Sequence, residues 1–138
     1  MANVSIAIVE DDEPLREALY DLLRSYDYSP STYGSAEEFL LRGSPRQTDC
    51  IILDQDLPGL SGAELQQQLA SLNSRAAVVF LSACRDPAVR LHALSSGARH
   101  FLSKSADADD IIQTILSVIK SIESSKGVSV TDNPSSQT

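Results

Sequence analysis

Apolar residues gather in short runs that stop abruptly on a polar side chain. Residues 4–9 run into Glu10 and Asp11, residues 50–53 into Asp54, residues 77–81 into Ser82, and Phe101 and Leu102 into Ser103 and Lys104. The stretches Ile6-Ala7-Ile8-Val9 and Ile51-Ile52-Leu53 are continuously apolar, as strands buried on both faces of a parallel sheet must be.

Between these runs the spacing becomes helical. Leu15, Ala18, Leu19, Leu22, Leu23 and Tyr26 fall on one stripe, and Pro14 suits the first turn of that helix. Ser35 with Glu38, and Ser61 with Glu64, have capping-box spacing ahead of apolar residues. Asp86 followed by Pro87 marks a further helix start, and Gly97 its end. A weak strand is expected near residues 28–33 and a last helix over residues 110–124. Strict alternation of five strands and five helices through short connections predicts the α/β class, a parallel sheet covered by helices on both faces.

In such open sheets ligands bind beyond the carboxyl ends of the strands. Glu10, Asp11, Asp54, Ser82 and Lys104 all fall at carboxyl ends, and no comparable set falls at the amino ends. Taken singly, each has a plainer role: Asp11 or Asp12 as a helix N-cap, Asp54 opening the turn before Pro58-Gly59, Ser82 bonding local backbone, Lys104 as a solvated cation. Those roles do not account for their gathering on one edge. Converging carboxylates repel one another, a divalent cation with oxygen ligands relieves this, and a lysine and a hydroxyl suit the oxygens of a phosphoryl group.

Composition narrows the setting. The 138 residues carry 42% hydrophobic and 22% charged residues, the balance of one folded domain. A net charge of −8 argues against direct nucleic-acid binding, which rests on cationic neutralisation of phosphates. Cys50 and Cys84 form no metal-binding or redox spacing and read as reduced thiols. With no leader pattern and no membrane-length apolar stretch, the chain reads as cytoplasmic and without a membrane partner. His92 and His100 read as surface residues.

The blocks Glu10-Asp11-Asp12-Glu13-Pro14, Leu53-Asp54-Gln55-Asp56-Leu57-Pro58-Gly59, Leu81-Ser82-Ala83 and Phe101-Leu102-Ser103-Lys104 resemble, in order and spacing, those of bacterial two-component response-regulator receiver domains. The resemblance covers residues 3–124 and is closest to the nitrogen-fixation and nodulation type of transcriptional regulator, notably at Gly34-Ser35-Ala36-Glu37-Glu38-Phe39-Leu40. It implies a flavodoxin-like (βα)5 doubly wound parallel five-stranded sheet, order 2-1-3-4-5, in a receiver domain over residues 1–125. Residues 126–138 are expected to be a polar linker or flexible tail.

Carried over position by position, the resemblance makes Asp54 the phosphoacceptor, with Lys104 and Ser82 assisting. It makes Asp11, Asp54 and the backbone carbonyl of Asp56 the magnesium ligands, Glu10 acting through water, with manganese able to substitute. Ser82 and Phe101 become the switch residues that alter the surface of the last two helices and the strand between them. No organic cofactor is implied. The expected partner is a sensor histidine kinase or phosphotransfer protein, with a homodimer forming on phosphorylation. Catalysis would extend only to the chain's own phosphorylation and slow autodephosphorylation.

Two departures stand out. Ser105 follows Lys104 where the family commonly has proline after a cis peptide, so the Lys104–Ser105 bond is either trans with a rearranged loop or strained. Asp56 and Cys84 occupy positions that influence phosphoryl lifetime in the family, and a carboxylate at residue 56 either orients or repels a hydrolytic water. Two alternatives stay open: a phosphatase of the haloacid dehalogenase class, which the order of the motifs disfavours, and a receiver-like binding module no longer phosphorylated. In the last helix, the edge with Ile112, Leu116 and Ile119 either joins a dimer or output surface or is buried deeper in the monomer.

Overall fold

The computed structural model describes residues 3–131, and side chains over residues 3–126. The elements run β1 (Ile6–Val9), α1 (Glu13–Ser25), β2 (Ser31–Tyr33), α2 (Ala36–Arg42), β3 (Cys50–Asp54), α3 (Gly62–Ser71), β4 (Ala77–Ser82), α4 (Pro87–Ser95), β5 (His100–Ser103) and α5 (Ala108–Thr131). All four strand pairings are parallel, in the order β2-β1-β3-β4-β5.

Alternate strand residues feed two cores. Ala7, Val9, Ile51, Leu53, Val78 and Phe80 pack with Phe39 of α2, Leu65 and Leu69 of α3 and Ala93 of α4. Ile6, Ile8, Cys50, Ile52, Val79 and Leu81 pack on the other face with Leu19 and Leu23 of α1 and Ile115 and Ile119 of α5. This period-two partition puts α1 and α5 on one side and α2, α3 and α4 on the other.

Local signals act largely as their chemistry dictates. The Ser61–Glu64 capping box is complete at α3, and the Asp86 side chain accepts the Ala88 N–H at α4. Gly97, with φ at 109°, ends α4 in the left-handed region. At α2 the box is offset: Ser35 Oγ accepts from the Glu38 N–H, but the Glu38 carboxylate reaches one residue further back, to the Gly34 N–H at 2.7 Å. Asp12 stands at the N-cap position of α1 without a side-chain cap, and its own N–H is donated to the Glu10 carboxylate.

Two expectations need correction and one open alternative is decided. The second strand is only Ser31–Tyr33, since Pro30 has no N–H to extend the ladder. Ile112, Leu116 and Ile119 are not left over for a partner but are 5%, 3% and 0% exposed against the sheet. And α5 continues to Thr131, past the expected start of a polar tail at residue 126; residues 132–138 lie outside the described residues.

The start of α3 sits tightly on the end of β3. A Cβ on Gly62 would lie 2.7 Å from the Asp54 carbonyl oxygen, 2.9 Å from Gln55 Cα and 3.0 Å from a Phe80 ring carbon. Gly62→Ala is therefore expected to lower stability by about 1–3 kcal/mol through overpacking against backbone. Urea unfolding of the two chains measures this, and equal midpoints would contradict the close packing.

Candidate functional site

Register delivers the polar residues to one edge. Asp54 pairs with Leu81, and Ser82 with Ser103, so the carboxyl ends of β3, β4 and β5 stay level. Ladder bonding continues just past the strands: Glu10 N–H donates to the Tyr33 carbonyl (3.0 Å), Gln55 N–H to Leu81 (2.9 Å) and Lys104 N–H to Ser82 (2.8 Å). Glu10 and Lys104 are thus fixed at the backbone before their side chains make any contact.

Those side chains then converge. Glu10, Asp11 and Asp54 each offer a carboxylate oxygen, all within 4.8 Å of one another. Glu10 and Asp54 are 1% and 2% exposed, whereas Asp11 faces solvent. Lys104 Nζ lies 3.2 Å from Asp54 Oδ1 and 3.3 Å from both Glu10 oxygens. Asp54 Oδ1 also accepts the Asp56 N–H at 2.9 Å, the local turn that an Asp-x-Asp sequence favours. The Lys104–Ser105 peptide is trans, and Lys104 reaches the acidic pair regardless.

The remaining expected residues split into two groups. Ser82 is fully buried, and its hydroxyl donates to Asp56 Oδ2 at 3.2 Å. Phe101 is 8% exposed, lies in the core on the α4 side and packs on Phe80 with ring centroids 5.9 Å apart. It also borders an open hollow of about 600 Å³ with Cys84, Arg85 and Arg90. Sequence reasoning missed Arg16, which braces the acidic turn by donating to the Glu10 carbonyl at 2.8 Å, and the Ala83 N–H, which donates to Asp56 Oδ2 at 3.1 Å. Arg16 had a signal in its place one turn into α1; a backbone N–H has none.

Electrostatics follow from the burial. Burial pushes the Glu10 carboxyl up to about 7; the Asp12 N–H opposes this and the Asp54 charge reinforces it. Burial also raises Asp54, against the Asp56 N–H. For Lys104, burial alone would favour the neutral amine, but Asp54 and Glu10 outweigh it and raise its pKa, so the ammonium persists. Glu10 Oε1 lies near Lys104 yet off the line of donation, and is a buried acceptor with no hydrogen bond. Three clustered carboxylates against one ammonium, with an unsatisfied oxygen among them, fit a hard divalent cation that keeps some of its water.

The family model described as the response regulator receiver domain matches residues 6–116. Nodulation protein W of Bradyrhizobium diazoefficiens is 35% identical over 111 residues, 80% of this chain and 49% of that protein. Transcriptional regulatory protein FixJ of Azorhizobium caulinodans is 32% identical, over 82% of this chain and 54% of its own. The chain thus spans about half the length of the curated relatives it matches. Among solved structures, a response regulator receiver protein from Burkholderia phymatum superimposes with a TM-score of 0.71 at 36% identity, covering 86% of this chain and 96% of its own. Among the described residues no helix is long and apolar enough to cross a membrane.

The pH dependence of the metal-free chain tests the buried pair. A Glu10 carboxyl that titrates near 7 when folded and near 4.5 when unfolded contributes stability below pH 4.5, and loses it as the pH rises to 7. After allowance for screening at the mouth of the site, this loss is expected to be about 1–2 kcal/mol, and Glu10→Gln removes it. Urea unfolding in chelator at pH 5 and 7.5 reads the difference; identical pH slopes for the two chains would contradict the assignment.

Proposed function

Because the chain belongs to the response-regulator receiver family, we propose that it takes a phosphoryl group onto Asp54 from a histidine kinase or a phosphotransfer protein. The observation that carries this reading is the Lys104 ammonium, 3.2 Å from a buried Asp54 carboxylate that borders two further acidic groups. The fixed cation favours the ionised, nucleophilic form of the carboxylate against the burial that raises its pKa, and it balances the charge that arrives with the phosphoryl group.

In the proposed step an Asp54 oxygen attacks phosphorus, the phosphorus–nitrogen bond of the donor breaks, and the imidazole leaves with the electron pair. The Asp56 N–H and Lys104 orient the attacking carboxylate through Oδ1. Ser82 stands at the end of the adjacent strand, where its hydroxyl can turn to a phosphoryl oxygen. Asp11, Asp54 and the Asp56 carbonyl would hold magnesium, or manganese in its place, with Glu10 reaching it through water. That ion, when bound, supplies positive charge against the phosphoryl oxygens. Movement of Ser82 would loosen the β4–α4 connection, and the hollow beside Phe101 gives its ring room to turn. Through these changes the α4-β5-α5 surface would report phosphorylation to an output domain or partner.

Incubation with magnesium and acetyl phosphate, followed by intact mass measurement, is expected to give a single acid-stable, base-labile phosphoryl adduct. Asp54→Asn abolishes it. An unmodified native chain at every donor concentration would overturn the reading.

A further inference from the structure

Asp56 is joined to both halves of the site. Its N–H is donated to Asp54 Oδ1 at 2.9 Å, while its carboxylate Oδ2 accepts two hydrogen bonds at the end of β4, from the Ser82 hydroxyl at 3.2 Å and the Ala83 N–H at 3.1 Å. A serine hydroxyl has one proton to give. The proton of Ser82 is spent on Asp56, and its oxygen in turn accepts the Cys84 N–H at 2.9 Å. Ser82 is fully buried, so no water competes for the hydroxyl.

We infer that the Asp56 carboxylate is an internal stand-in for the phosphoryl group, a positioning residue that holds the Ser82 and Ala83 donors until a phosphoryl oxygen displaces it. This inference rests on the phosphoacceptor reading of Asp54. Two donors meeting one anionic oxygen would serve a phosphoryl oxygen arriving on the neighbouring Asp54 in the same way. Until Asp56 releases them, Ser82 stays in its resting place and the start of α4 stays with it.

Displacement is physically reasonable in direction. A phosphoryl group brings about 1.5 to 2 negative charges, which repel a neighbouring carboxylate, and three strong acceptor oxygens. Asp56 is exposed and can turn into water, which hydrates its charge. The backbone carbonyl of residue 56 does not take part in the exchange, so replacing the side chain leaves it in place. The carboxylate therefore sets a threshold: the incoming group must outbid an acceptor already in position.

Binding of beryllofluoride with magnesium to the full chain, followed by titration calorimetry, measures that threshold. Asp56→Ala is expected to bind the mimic about tenfold more tightly than the native chain, the size of one hydrogen bond to a charged group. Asp56→Asn, which keeps an acceptor oxygen without its charge, is expected to fall between them. In a Ser82→Ala background the gain from Asp56→Ala shrinks to a few-fold, because only the Ala83 N–H is then still contested. In the unliganded chain the Ala83 amide proton is expected to move upfield on Asp56→Ala. Equal affinities would overturn the inference, and so would a gain that persists undiminished without the Ser82 hydroxyl, which would reduce Asp56 to general charge repulsion. Failure of the native chain and all variants to bind the mimic would overturn the phosphoacceptor reading, and this inference with it.

Discussion

Glu10 and Asp54 stand at the ends of adjacent parallel strands, almost wholly removed from water, with one ammonium serving both. Two like charges in that position are unfavourable in any solvent-poor medium, and the protein accepts this because the sheet leaves no choice. Parallel pairing puts all carboxyl ends on one edge, and continued ladder bonding fixes the backbone of Glu10 and Lys104. The raised carboxyl pKa of Glu10 is the signature of incomplete compensation. A metal-free site of this kind is poised to take up positive charge, and the hydrogen bond missing at Glu10 Oε1 shows where compensation falls short.

Most of the fold was legible because it rests on local chemistry. Apolar runs marked the buried strands, the Ser61–Glu64 pair marked the start of α3, and Gly97 marked the end of α4. What the sequence left unresolved depended on which side chain reaches which distant group. Glu38 and Ser35 were read as a capping box, yet the Glu38 carboxylate is long enough to find Gly34 instead. The apolar spacing of Ile112, Leu116 and Ile119 gave no measure of how deeply α5 sits, and the packed structure buries all three together. The candidate site followed the same division: strand ends named Glu10, Asp11, Asp54, Ser82 and Lys104, while the Asp56 side chain's reach to β4 is a contact across 26 residues that no spacing rule contains.

The loop after β5 shows how a departure from a common pattern can be absorbed. Ser105 cannot fix the backbone as a proline ring does, but its N–H donates to Ser103 Oγ at 3.1 Å, and the two hydroxyls lie 2.7 Å apart. Together with the Lys104 N–H bonded to Ser82, these contacts tie down both neighbours of the lysine. Position is thus maintained by hydrogen bonds in place of covalent restriction. The trans peptide and the short contacts of the ammonium are then compatible, because the lysine stem spans whatever backbone difference remains.

Ser82 connects this strand edge to the helix that follows it. Its carbonyl holds Lys104, its hydroxyl proton goes to Asp56, and its oxygen holds the Cys84 N–H. A residue with its carbonyl and both sides of its hydroxyl engaged cannot change one contact without disturbing another. Turning the hydroxyl away from Asp56 leaves the Cys84 N–H to find a new acceptor at the mouth of α4, and that helix is covered on its outer side by little more than solvent, with Leu91 68% exposed. The end of β4 is buried and the segment beyond it is largely exposed, so under the proposed switch a change in acceptor at Ser82 would be passed toward α4, where packing is lightest, and not into the sheet.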